Sequence, residues 1–269
     1  MFHSLARPDG KHPLTTEQAL RRLYALGFTC NDAPIQKTLR TLSDCLQGKR
    51  KIDGYSEKGH DWEHFTRMML SAWVRRFGMK DASAADCSER WAFVMEEAFS
   101  GGSFQQAKYL AAYRQVLSST EESSRALHFC NFYPLCLLPG LLKPATESAF
   151  LDYVLSRPDG VYYLYGQPLN ILPAEFASLQ TVRWLSAMEL LSHFPLARNK
   201  LAFAAEWLDE HRLSDGRWDL GPKANDGIYL PLSDSWRKAD TRIADCTEWI
   251  STIMENISGT VQEKSNNSL

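Results

Sequence analysis

The chain has 269 residues, 44% hydrophobic and 23% charged, an ordinary composition for a folded domain with a sizeable core. Lys+Arg 30 against Asp+Glu 32 leaves a formal charge of −2, so bulk electrostatics give no case for a nucleic-acid partner or an anionic membrane surface. Aromatic and branched apolar residues recur along the length, which excludes disorder for most of it.

Taken in chain order, the pattern is one amphipathic helix after another. Thr15-Thr16-Glu17-Gln18 has the spacing of a capping box, and Leu20, Leu23 and Tyr24 follow before a stop at Gly27. Asp32 and Pro34 open a second helix with Ile35, Leu39, Leu42 and Leu46 on one stripe, closed by Gly48. A third carries Trp62, Phe65, Met69, Trp73 and Phe77 as far as Gly78. Ser83 with Asp86 predicts the cap of a fourth, faced by Cys87, Trp91, Val94, Met95 and Ala98. Ser103 and Gln106 predict a fifth, with Tyr109, Leu110, Tyr113, Val116 and Leu117.

Residues 127–142 read as an irregular, buried apolar connection. Helices are then expected over 146–155, 174–194, 197–211 and 238–257, the last holding period through Ile243, Thr247, Ile250, Met254 and Ile257. Val161-Tyr162-Tyr163-Leu164-Tyr165 reads as a short strand. No long linker divides the chain, so residues 1–257 are expected to form one all-α domain, and 258–269 a polar, disordered tail. Asp-Cys recurs at 44–45, 86–87 and 245–246, Arg-Pro-Asp-Gly recurs at 7–10 and 157–160, and helix pairs recur at roughly 40 residues. This repetition favours an array of helical hairpins closed into a ring, which leaves no exposed end faces.

No apolar stretch reaches the ~18 residues of a membrane span, and the first residues lack a signal-peptide apolar region. The six cysteines form no CxxC pair, and Cys45, Cys87 and Cys246 fall on apolar helix faces. A cytoplasmic protein with reduced thiols is the expectation.

The segment Trp207-Leu208-Asp209-Glu210-His211-Arg212-Leu213-Ser214-Asp215-Gly216-Arg217-Trp218 resembles the Gly-x-Trp end of the repeat that braces the helices of terpenoid cyclases. His211 and Arg212 stand where that repeat has its Gln. With Pro231 to Arg237 and Asp245-Cys246-Thr247, the chain resembles the terpenoid cyclase/protein prenyltransferase-like α/α-toroid superfamily, over its last third by residues and elsewhere by helix pattern. The resemblance implies a closed α/α barrel with a central cavity. The superfamily's catalytic strings are missing: the Asp-x-Asp-Asp acid, the Asp-Asp-x-x-Asp magnesium motif, the Asp, Cys and later His of the zinc site, and the Cys-His-Gly of lanthipeptide cyclases.

Three constellations could carry chemistry. His60 and His64, at i and i+4, would share a helix face able to hold a divalent metal; the competing reading is an acidic helix N-terminus with exposed histidines. Tyr162, Tyr163 and Tyr165 could line a ligand cavity or pack as an edge strand. The loop 215–240 offers Trp218, Asp219 and Trp236, as ligand-binding groups or as turn residues and anchors. Lys49-Arg50-Lys51 and Arg75-Arg76 read as solvated faces, and no nucleophile elbow or phosphate loop is present.

Three functions stay open on these residues. One is a toroid binding a largely apolar small molecule, with no cofactor required by the sequence. Another is a helical scaffold for a protein partner. The third is a metal-dependent enzyme using His60 and His64.

Overall fold

The computed structural model describes residues 14–51, 62–117 and 128–259. Among them the chain is all-helical, with eleven helices and no strand: α1 (Thr16–Ala25), α2 (Ala33–Leu46), α3 (Trp62–Arg76), α4 (Ala82–Ala98), α5 (Gln106–Leu117), α6 (Phe132–Leu137), α7 (Pro144–Ser156), α8 (Leu179–Ser192), α9 (Ala197–Lys200), α10 (Ala202–Glu210) and α11 (Ala239–Ser258). No helix of the described residues is long and apolar enough to cross a membrane.

The capping box at Thr15 forms as the spacing predicts. Thr15 Oγ1 accepts from Gln18 N at 3.1 Å, and Thr15 N donates to Gln18 Oε1 at 3.0 Å. In α2 the stripe Ile35, Leu39, Leu42 and Leu46 is buried, with Pro34 in the first turn. α11 runs to a left-handed Gly259 at φ 68, one residue past the expected end.

Five local expectations are corrected. The cap of α4 is Asp81, which accepts from Ala84 N at 2.8 Å; Ser83 lies inside the helix. Asp81 also takes the Ser43 hydroxyl and Gln47 Nε2, so one carboxylate caps α4 and ties it to α2. α5 opens at Gln106 with Tyr109 N on Gln105 O at 2.9 Å, which leaves Ser103 outside. Asn131 turns the apolar connection into α6 by accepting from Tyr133 N at 3.0 Å. The last two helices before α11 also shift: α8 starts at Leu179 under a Ser178 cap, and 197–211 divides into α9 and α10 at Leu201.

The expected strand is instead a tight turn. Val161 N donates to Tyr165 O at 2.8 Å and Tyr165 N to Val161 O at 3.0 Å, with Tyr163 at φ 61. A β-carbon on Gly160, itself at φ 57, would stand 2.2 Å from Tyr165 O, so only glycine admits this turn.

α2, α3, α4 and α5 pack in succession, each on the next. α6 lies against both α3 and α8; α8 packs on α11, and α7 meets α4 and α9. The buried apolar side chains form one contiguous cluster from Leu20 to Ile257, with Trp73 and Trp184 its largest fully enclosed members. α6 thus sits where the α2–α5 series meets α8. The polar side chains that matter most lie around it.

Candidate functional site

Three helices bring ionisable residues to α6 at helical spacing. α1 supplies Glu17, Arg21 and Tyr24, at i, i+4 and i+7 of one face. α3 supplies Trp73 and Arg76, α6 supplies Phe132, Tyr133 and Cys136, and α8 supplies Glu189 and His193, its C-cap residue.

The centre is an ion pair out of solvent. Arg76 Nη2 lies 2.7 Å from Glu189 Oε1 and 2.6 Å from Oε2, with both side chains 6% exposed. The Arg76 guanidinium stacks 3.9 Å from the Tyr24 ring centroid, and its Nη1 lies 3.6 Å from Cys136 Sγ. Burial alone would raise the Glu189 pKa, but the Arg76 charge and the hydrogen bonds from His193 and Arg76 outweigh it and hold the carboxyl at about 2. Arg76 is driven upward: burial opposes its charge, and Glu189 overrides that.

Glu189 also orients an imidazole. Glu189 Oε1 is 2.8 Å from His193 Nε2, and Tyr24 Oη is 3.3 Å from the same nitrogen. An ionised carboxylate only accepts, so Nε2 carries the hydrogen. Nδ1 makes no hydrogen bond among the described residues. His193, at 27% exposure, is the partly open member of the group.

On the inner side, Glu17 Oε1 accepts from Trp73 Nε1 and from Tyr133 Oη, both at 2.9 Å. Arg21 lies 4.4 Å from the Phe132 ring centroid, and its Nη1 is 3.3 Å from Tyr229 Oη, a residue 208 positions away. Burial pushes the Cys136 thiol up to about 11 and the Tyr24 and Tyr229 phenols up to about 12. All three stay protonated at neutral pH, so they serve as hydrogen-bonding groups and not as nucleophiles.

The cluster opens on a cleft of about 240 Å³ lined by Tyr24, Arg75, Arg76, Leu135, Cys136, Pro139 and His193. Arg75 forms part of its wall. Arg75 Nη2 donates to Pro139 O at 2.6 Å, and among the described residues the guanidinium has no carboxylate partner. Burial lowers its pKa. On the far side Arg75 borders a wider surface depression of about 520 Å³, built from residues of 78–88 at the start of α4.

The residues singled out from the sequence fall elsewhere. Tyr163 is 84% exposed at the tip of its turn, Tyr162 stacks on His128 at 4.9 Å, and Tyr165 is buried, its hydroxyl accepting from Gln180 Nε2 at 3.2 Å. Trp218 Nε1 donates to Leu208 O at 2.7 Å, and Trp236 Nε1 donates to Gly221 O at 3.2 Å. Asp219 holds Arg242 of α11 through two 2.7 Å bonds. Arg242 shares α11 with Asp245, which accepts from Leu232 N, Ser233 N and Ser233 Oγ at 2.8 to 3.1 Å. Through these bonds Trp218, Asp219 and Trp236 staple loop 213–238 against α10 and α11.

His60 lies outside the described residues, and His64 is half-buried in the first turn of α3. Among the described residues no group of three His, Cys, Asp or Glu side chains is placed to hold a metal.

The reading of Arg75-Arg76 as a solvated face is overturned for Arg76. Position 76 follows Met69 and Trp73 along the buried stripe of α3, and that register was the available signal. Glu189 gave another: a lone acid inside the apolar run Met188 to Leu191 needs a buried partner.

One pH effect follows from Glu189. Its folded pKa lies below the unfolded value of about 4.3, so its stabilisation is complete above that value. The contribution drains away as pH falls from there toward about 2. It amounts to on the order of 3 kcal/mol. Urea midpoints between pH 2 and 6 should therefore rise more steeply with pH in the wild type than in Glu189→Gln; equal slopes would contradict the assignment.

Compared with family models, curated proteins and solved structures, the chain matches none of them.

Proposed function

We propose that this protein binds a small molecule in the cleft lined by Tyr24, Arg76 and His193, with Glu189 behind Arg76, on an α/α-toroid scaffold. One observation carries the reading. Ionisable and aromatic groups from four helices, up to 169 residues apart for the Tyr24–His193 pair, converge on one cleft. A concave site with a few fixed polar groups in an aromatic surround is the usual form of a ligand site. Holding a desolvated ion pair and an oriented imidazole there gains little stability over an apolar core of the same volume. A binding role gives that arrangement a use.

The toroid part has its own support. Arg22 Nη2 reaches Gly227 O at 2.7 Å and Arg21 reaches Tyr229, so the first helix bridges α3 and the C-terminal loop. Such closure brings the two ends of a hairpin array together. The ligand's body is apolar, in keeping with Leu135, Pro139 and the Tyr24 ring, and its head is polar. Six unpaired cysteines, four of them buried, fit a reducing, cytoplasmic setting.

The test is a thermal-shift screen of drug-fragment compounds on the wild type and on Pro139→Trp, which fills the cleft with an indole. Fragments at tenfold their Kd should raise the wild-type Tm by about 3 °C and leave the variant unmoved. A screen in which no fragment distinguishes the two proteins would overturn the proposal.

A further inference from the structure

We infer that the ligand of this cleft is a monocarboxylate, taken by the guanidinium of Arg75. The inference rests on the cleft being a ligand site, as argued above, and concerns which chemistry it selects.

Arg76 and Glu189 neutralise one another at hydrogen-bond distance. Arg75, the next residue, has no carboxylate within ion-pair reach among the described residues and spends one N–H on the Pro139 carbonyl at 2.6 Å. Among the described residues its other N–H groups have no protein partner, and its charge faces the wall of the cleft. A guanidinium in that position is stabilised by any anion that enters, and its planar fork matches a carboxylate edge.

The count of charges favours a monoanion. The lining carries one uncompensated positive charge, and ionised Glu189 stands behind Arg76. A phosphate, carrying close to two negative charges at neutral pH, would leave one of them unanswered beside that carboxylate. Size points the same way: about 240 Å³ accommodates an aryl or short alkyl acid rather than a nucleotide or a lipid. Leu135 and Pro139 supply the apolar wall for its body. The unbonded Nδ1 of His193 supplies a further hydrogen-bonding position on the same cleft.

Calorimetric titration at pH 7.5 with benzoate, its neutral isostere benzamide, and inorganic phosphate tests this. The wild type should bind benzoate at least tenfold more tightly than benzamide or phosphate. Arg75→Gln should lose about tenfold for benzoate and nothing for benzamide. Lys80→Gln removes the same charge from the neighbouring depression and should change neither.

Equal affinity for benzoate and benzamide would overturn the carboxylate assignment and leave the cleft as a small-molecule site. Phosphate binding more tightly than benzoate would overturn it too, as would an unchanged benzoate affinity in Arg75→Gln. If benzoate fails to bind while fragments of the thermal screen do, this inference alone falls. If no fragment binds either, the proposed function falls with it.

Discussion

Replacing Arg76 by Met should destabilise the protein by about 3–5 kcal/mol, the scale for stranding one member of a buried ion pair. Glu189, 6% exposed, would be left charged without its cationic partner, and Tyr24 would lose the cation over its ring. The carboxyl would respond by taking up a proton, so the loss should be smaller in acid than at neutral pH. Arg76→Met combined with Glu189→Leu removes both charges and should recover much of the loss. Urea denaturation of the single and double variants at pH 7 measures this. A single variant within about 1 kcal/mol of wild type would mean that the pair is open to water.

Trp73→Ala should have an effect of similar size for a different reason. Trp73 is fully buried, tilted against Phe77 and Phe132 at 6.4 and 5.0 Å, and its Nε1 donates to Glu17. Truncation opens a cavity between α3 and α6 and removes one of two donors from Glu17; the expected cost is about 3–5 kcal/mol. Trp73→Phe keeps most of the volume and loses only the N–H, so it should cost about 1–3 kcal/mol. Equal denaturation midpoints for the two variants would show that the hydrogen bond, and not the packing, decides the cost.

Much of the helical pattern was legible in local chemistry. The Thr15 capping box and the Ile35 to Leu46 stripe depend on neighbours within a few residues and formed as read; α11 formed as a helix, but its buried face runs through Cys246, Trp249, Ile250, Ile253 and Ile257, with Ile243, Thr247 and Met254 at its margin. The misreadings share a cause. α6 is apolar on every side because it is buried between α3 and α8, so it shows no amphipathic period. Val161 to Tyr165 has strand composition but bends at two positive-φ residues, Gly160 and Tyr163.

The candidate site was far less legible than the fold. Glu17, Arg21, Tyr24, Arg76, Glu189 and His193 are each unremarkable in their own helix, and the partners that make them a site lie up to 208 residues away, as for Arg21 and Tyr229. Composition draws the eye instead to aromatic-rich, Asp-rich segments. Those segments fold into a turn at Tyr163 and a stapled loop at Trp218, Asp219 and Trp236, where tertiary hydrogen bonds occupy their polar atoms.

The most direct measurement of the central claim is a crystal structure of the protein soaked in benzoate. The account predicts density for the carboxylate against the Arg75 guanidinium, with the ring toward Leu135 and Pro139, and the Arg76–Glu189–His193 geometry unchanged. A saturating soak that leaves this cleft to water alone, or places benzoate only elsewhere on the surface, would contradict it.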